Sequence, residues 1–184
     1  MRHLRTTLLF VLSFISCKEK EAEKTNLRTA EIQNYFKDLK KTKEIRFGGG
    51  DVWGTTYIYN NADSSIIKVL VKYDAGDYGK GQNEYLIVDN RLIYQRDSIV
   101  DWLIIKSPLD SNKYKLRETI SYFNADSTGT KTSKAVYSMT FEFNDEKKKE
   151  LKNKTADSVA LIKTDYVKLF GELKEVLGRT IIEE

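Results

Sequence analysis

The stretch Glu84-Tyr85-Leu86-Ile87-Val88-Asp89-Asn90-Arg91-Leu92-Ile93-Tyr94 reads as two short apolar runs with Asp-Asn between them. Asp and Asn tolerate positive φ, so the pair suits a two-residue type I′ turn, whose backbone twist matches that of the strands it joins. The turn then dictates a register: Val88 opposite Arg91, Ile87 opposite Leu92, Leu86 opposite Ile93 and Tyr85 opposite Tyr94. Both faces of this hairpin are apolar, which predicts a place near the middle of a sheet.

Working outward, turn clusters stand at Asn60-Asn61-Ala62-Asp63, Asp74-Ala75-Gly76-Asp77, Ser107 to Asn112 and Asn124 to Gly129. The segments between them are rich in Tyr, Ile, Val and Thr. They predict six strands near 52–59, 65–73, 84–88, 91–106 (one bent strand, or the pieces 91–97 and 99–106), 114–124 and 131–143. In the last of these, Ala135, Tyr137, Met139, Phe141 and Phe143 alternate with Lys134, Ser138, Thr140 and Glu142, a pattern with one buried face. Ile67, Val69, Val71 and Tyr73 alternate with Lys68 and Lys72 in the same way.

Two helices flank the strands. Leu27, Ile32, Tyr35, Phe36 and Leu39 predict an amphipathic helix over 27–43, broken by Gly48-Gly49-Gly50-Asp51. Val159, Ile162, Tyr166, Leu169, Phe170, Leu173, Val176 and Leu177 predict a longer one, ending at Gly178 as a left-handed C-cap. Gly171 inside it is expected to mark close approach to the sheet. The predicted fold is α+β: an antiparallel β-meander of about six strands with an N-terminal and a longer C-terminal helix packed on one face. It forms a single domain over 27–184.

The chain has 184 residues, a formal charge of +4, one proline, one histidine and one cysteine, which excludes collagen-like, proline-rich and disulfide-framework classes. Its N-terminus places Arg2 and Arg5 before an apolar stretch from Leu8 to Ile15, too short to span a bilayer. Ile15-Ser16-Cys17 then meets a charged run, Lys18 to Lys24. This segment resembles a bacterial lipoprotein signal, with Phe14 where that family carries Leu. The resemblance implies a signal peptide over 1–16, diacylglycerol on the sulfur of Cys17, and a solvated tether over 17–26. Lys18-Glu19 also looks like the Lys-plus-acidic address of surface lipoproteins in Bacteroidetes. The expected location is the outer membrane of the cell envelope, facing either the surface or the periplasm. The Tyr-rich meander around 84–94 is similar in style to small α+β lipoproteins of the same group, a resemblance that implies no activity.

Loss of residues 1–16 removes His3, Arg2 and Arg5, leaving a charge of +2 and no histidine. Histidine-dependent triads and histidine-ligated zinc or haem are thereby excluded, and no cofactor is expected. So small a net charge also argues against nucleic acid. Lys147-Lys148-Lys149, interleaved with Asp145, Glu146 and Glu150, reads as a solvated face, and the segments Gly48-Gly49-Gly50 and Gly79-Lys80-Gly81 as turns. Asp74, Asp77, Asn83 and Glu84 could supply oxygens to Ca²⁺ but lack EF-hand spacing, and no metal site is assigned. Asp97 and Asp101 are candidate acids for a histidine-independent glycan hydrolase, although no catalytic residue is assigned. The aromatic positions Trp53, Tyr57 and Tyr59 could stack on sugars or anchor a peptide. The function expected is a non-catalytic envelope module that binds a protein or carbohydrate on the sheet face left free by the helices. The alternatives are the hydrolase and a structural subunit of an envelope assembly.

Replacing Cys17→Ser should abolish incorporation of labelled fatty acid and move the protein from the membrane pellet to the soluble fraction. Continued labelling of the variant would exclude this residue as the lipid site.

Overall fold

The structure is a computed structural model that describes residues 28–103 and 113–182, the side chains of 176 and 179–182 excepted. The signal, Cys17 and the tether lie outside the described residues, as do the end of the predicted 91–106 strand and the Ser107 to Asn112 turn. The chain divides into two compact units, Met1–Asp38 and Leu39–Glu184. The first contains helix α1 (28–35), which buries Ile32. Its last turn tightens through Phe36 N–H to Gln33 O and Lys37 N–H to Asn34 O, ending the helix well before residue 43.

In the second unit the described residues form one eight-stranded antiparallel sheet in which every strand neighbours the next in sequence. The strands are β1 (Lys40–Gly49), β2 (Val52–Asn60), β3 (Ile66–Asp74), β4 (Gly79–Val88), β5 (Arg91–Trp102), β6 (Tyr114–Phe123), β7 (Gly129–Ser138) and β8 (Asp157–Leu161). Helix α2 (Asp145–Asn153) precedes β8 and α3 (Lys163–Ile182) follows it.

Eight strands thus stand where alternation predicts six. The six predicted segments overlap β2 through β7, but β7 ends at Ser138, with Val136 buried and Tyr137 and Met139 exposed where the alternation predicts the reverse, and the two additions are the edges. β1 occupies the expected end of the first helix, because Lys43, Ile45 and Phe47 alternate inward against β2. β8 takes the expected start of the last helix, where pairing with β7 and burial of Leu161 outweigh helical spacing. Two further corrections concern glycines. A Cβ on Gly171 would meet nothing, so no close approach requires it, and helix α3 runs past Gly178 without a left-handed cap.

Asp89 and Asn90 both have positive φ, 48° and 60°, as the type I′ turn demands. Val88 pairs with Arg91 and Ile87 with Leu92, but Leu86 then pairs with Tyr94, and Tyr85 with Gln95. Ile93 is an extra residue, a β-bulge that exchanges the faces of everything after it in β5.

The pairings define two faces. Face A carries Ile67, Val69, Ile87, Leu92, Phe123 and Leu161, on which α3 lays Tyr166 and Leu173. The Tyr166 ring meets Phe123 edge-on at 5.3 Å. Asp165 at the third helical position accepts from Ile162 N–H at 2.9 Å, closing the N-terminus of α3. Face B carries Val100, Leu116 and Val136, and it is α2 that covers these, through Leu151 with Phe143. α2, a helix that the periodicity does not predict, and α3 therefore pack on opposite faces of the sheet. The physical reason is that both faces present an apolar corner. Asn144 caps α2 by accepting from Lys147 N–H at 3.0 Å, and Lys154 donates to Ala135 O at 2.8 Å.

Leu173→Ala should cost about 2–5 kcal/mol in urea unfolding while leaving a single cooperative transition. Deleting Ile93 removes only the unpaired residue, so Leu86 still meets Tyr94, Val100 stays on face B, and the variant should keep a single cooperative transition. Loss of that transition on deletion would show that the bulge itself, and not only the register it sets, is required.

Candidate functional site

Trp53, Tyr57 and Tyr59 project from β2 on face B. Trp53 is 57% exposed, and Tyr57 and Tyr59 are half-buried. Lys41 and Lys72 lie 5.7 and 5.8 Å from the centre of the Tyr57 ring, and Lys68 lies 5.8 Å from that of Tyr59. Cross-strand pairing continues the Trp53 row through Asp74, Lys80, Val100 and Leu116. Over this row and the next lies a cleft of about 320 Å³ lined by Lys72, Lys80, Gln82, Ser98, Val100 and Leu116. One two-residue step further along β5 and β6, Trp102 and Tyr114 line a second cleft of about 510 Å³ with Asp77, Tyr78 and Lys113. Tyr78 and Trp102 meet edge-on at 6.3 Å, and Trp102 is 48% exposed. Neither sheet face is free of helix, but this part of face B is open.

Behind the clefts, charges alternate across five strands of the same face. Lys68 pairs with Glu84 at 2.5 Å, and Glu84 stands opposite Arg96. Arg96 pairs with Glu118 at 2.5 Å, and Glu118 with Lys134 at 3.3 Å. Burial alone would raise the Glu118 carboxyl, but Arg96 and Lys134 outweigh it and hold the group below the usual carboxylate range.

Face A holds a different arrangement beyond the margin of the α3 core. Asn83 pairs with Asp97 and Tyr85 with Gln95, and Thr119 and Ser121 continue these rows on β6. Gln95, Thr119 and Ser121 are buried. Gln95 Nε2 donates to both Asp97 oxygens, at 3.1 and 3.0 Å. Thr119 and Ser133 share a hydroxyl hydrogen bond of 3.3 Å. The acceptor oxygens Gln95 Oε1 and Asn83 Oδ1 are buried with no hydrogen-bond partner. Each such group costs about 1–3 kcal/mol, a large fraction of the roughly 5–15 kcal/mol that holds a domain together. Burial raises Asp97 above the ordinary carboxyl value, against the Gln95 hydrogen bonds, Arg117 and Lys131, with Glu172 of α3 adding to the rise. Burial, with Asp97 next in effect, pushes the Tyr85 phenol up to about 12. Tyr73 is raised by burial and then by Asp101 and Asp97. Its ring lies over Gly81, where a Cβ would collide with it.

Asp97 and Asp101 share face A but are four residues apart on one strand, roughly 13 Å at the rise of an extended chain. That exceeds the separation at which two carboxyls act on one glycosidic bond. Asp101 is instead 3.6 Å from Arg117. Asp74, Asp77, Asn83 and Glu84 do not converge either: Asp74 accepts from Gly76 N–H, Asn83 lies on face A and Glu84 on face B. Among the described residues no group of three or more His, Cys, Asp or Glu could share a metal. Sequence reasoning missed Gln95, because only the bulge brings it to the buried face. It also missed Trp102, whose exposure follows from its place at the end of β5. No protein-family model, no curated protein and no solved structure matches the chain.

Asp97 and Glu118 should respond to pH with opposite sign. Because the folded Asp97 carboxyl titrates above its ordinary value of 3.8, the folded state holds the extra proton and loses stability as pH rises through that window. Asp97→Asn should therefore unfold at higher urea than wild type at pH 7, with the gain vanishing below the unfolded value. The folded Glu118 carboxyl titrates below its ordinary 4.5, so its stabilisation is present above that value and is lost as pH falls. Glu118→Gln should be less stable at pH 7, with the difference closing in acid. Urea midpoints across pH check both signs.

Proposed function

We propose that this chain is a lipid-anchored protein of the cell envelope whose globular part is a non-catalytic carbohydrate-binding module. The anchor reading rests on the resemblance of Ile15-Ser16-Cys17 to a lipoprotein signal. Two acyl chains on one cysteine suffice to hold a protein on a bilayer. The binding reading rests on one observation: exposed Trp53 and, one two-residue step off its row, exposed Trp102 lie at either side of Asp74 and Lys80 on open face B.

β2 and β5 are three strands apart, about 14 Å at ordinary interstrand spacing, the reach of a short oligosaccharide. Indole rings offer apolar faces to the C–H surfaces of sugars. Asp74, Gln82 and Ser98 supply acceptors and donors for hydroxyls, and Lys72 and Lys80 favour acidic sugars over neutral ones. The half-buried Tyr57 and Tyr59 continue the aromatic surface along β2. Nothing in this arrangement requires a bond to be broken, and the wide spacing of Asp97 and Asp101 does not support the hydrolase alternative.

The chain contains two tryptophans, Trp53 and Trp102, so intrinsic fluorescence reports on both ends of the site. Titrating the full chain carrying Cys17→Ser with a panel of neutral and uronic-acid oligosaccharides should quench and blue-shift the emission. Trp53→Ala and Trp102→Ala should each weaken the response about tenfold, or about 1.4 kcal/mol. An unchanged emission across the panel, with both variants losing the wild-type retention of an envelope protein, would replace the carbohydrate with a protein partner.

A further inference from the structure

We infer that face A carries a second binding site, for a primary ammonium group, formed by Asp97, Gln95 and Asn83. Three kinds of acceptor lie side by side there: the Asp97 carboxylate, Gln95 Oε1 and Asn83 Oδ1. Asn83 and Asp97 are direct cross-strand partners, and Gln95 is the next residue along β5 on the same face. The Gln95 amide is oriented by its donor end, since Nε2 is committed to the two Asp97 oxygens. Gln95 Oε1 and Asn83 Oδ1 are both buried and unmatched. Gln95 is only 6% exposed, so bulk solvent does not serve its oxygen.

The charged groups nearby do not supply the missing donors. Arg117 faces Asp101 at 3.6 Å, Lys131 is exposed, and Glu172 of α3 adds negative charge. An –NH₃⁺ group brings three N–H donors and no acceptor, matching one carboxylate and two carbonyl oxygens. It also places a positive charge in direct contact with a carboxylate that burial disfavours. A hydroxyl brings one donor and no charge. A divalent metal would have to displace the Gln95 amide from the carboxylate first. Tyr73, held flat over Gly81, and Tyr85 add aromatic surface beside the cation. Asn83, Tyr73 and Asp97 are half-buried, which leaves the site approachable from the end of face A that α3 does not cover. The site is independent of the face B clefts, since its residues point the opposite way from the same strands.

The test is a titration of the full chain carrying Cys17→Ser, followed by the side-chain amide NMR signals of Gln95 and Asn83. Propylammonium, glucosamine and Nα-acetyl-lysine amide are the primary-ammonium probes, and they separate a simple amine, an amino sugar and a lysine side chain as sources. N-acetylglucosamine and tetramethylammonium are the controls, one without charge and one without N–H donors. At least one ammonium probe should shift both amide signals saturably, with a Kd on the order of 1 mM, while the controls do not. Asp97→Asn and Gln95→Met should weaken that binding about tenfold. Equal response to tetramethylammonium would overturn the proposal by reducing it to charge alone. A silent pair of amide signals, or unchanged binding in both variants, would overturn it as well. The wild-type titration decides the matter even where a variant fails to fold.

Discussion

One extra residue, Ile93, governs the rest of the structure. The two-residue turn at Asp89-Asn90 sets the first two pairs of the central hairpin, and the bulge then shifts β5 by one residue against β4. Because side chains alternate with period two, that shift exchanges the faces of every later β5 residue. Tyr94 moves to face B, where its ring packs 5.6 Å from Tyr122, and Val100 joins Leu116 and Val136 under α2. Gln95 and Asp97 move to face A. A regular hairpin would have put Arg96 opposite Asn83 and taken Val100 out of its core, so apolar burial on both faces favours the bulge.

The shift also separates the two chemistries of the sheet. Face B meets its charges pairwise, in the alternating line from Lys68 to Lys134, so that partly buried groups are matched strand by strand. Face A leaves a carboxylate raised by burial next to two unmatched carbonyl oxygens. Such a departure from full hydrogen bonding weakens the fold, and ligand-binding sites are where folds keep departures of this kind. The apolar clusters under α2 and α3 supply the stability that tolerates it.

The central strands were legible because their signals are local. Asp-Asn between apolar runs marks a turn, and Ile67, Val69 and Val71 alternate with lysines whatever lies around them. The edges were not legible for an equally physical reason. β1 begins with three lysines among its first four residues and has only Ile45 and Phe47 alternating after them, and β8 has five residues of which only Leu161 is buried, so the apolar alternation that identifies a strand is short in one and missing in the other. Both exist because a neighbouring strand offers unpaired backbone groups. The aromatic row of β2 could be read from spacing, whereas the Asp97 and Gln95 arrangement could not, since its residues become neighbours of Asn83 only through register.

By itself, then, the sequence determined the class of the fold, the approximate places of the six inner strands, the turn at Asp89-Asn90, and the resemblance of the N-terminus to a lipoprotein signal. Each of these rests on residues close together in the chain, where backbone preference and periodicity act directly. Tertiary structure alone decided the edge strands, the placement of α2 and α3 on opposite faces, and which polar side chains share a buried site. Those outcomes depend on which apolar corners remain to be covered and on a single-residue shift in pairing, and both are settled by contacts between segments far apart in sequence.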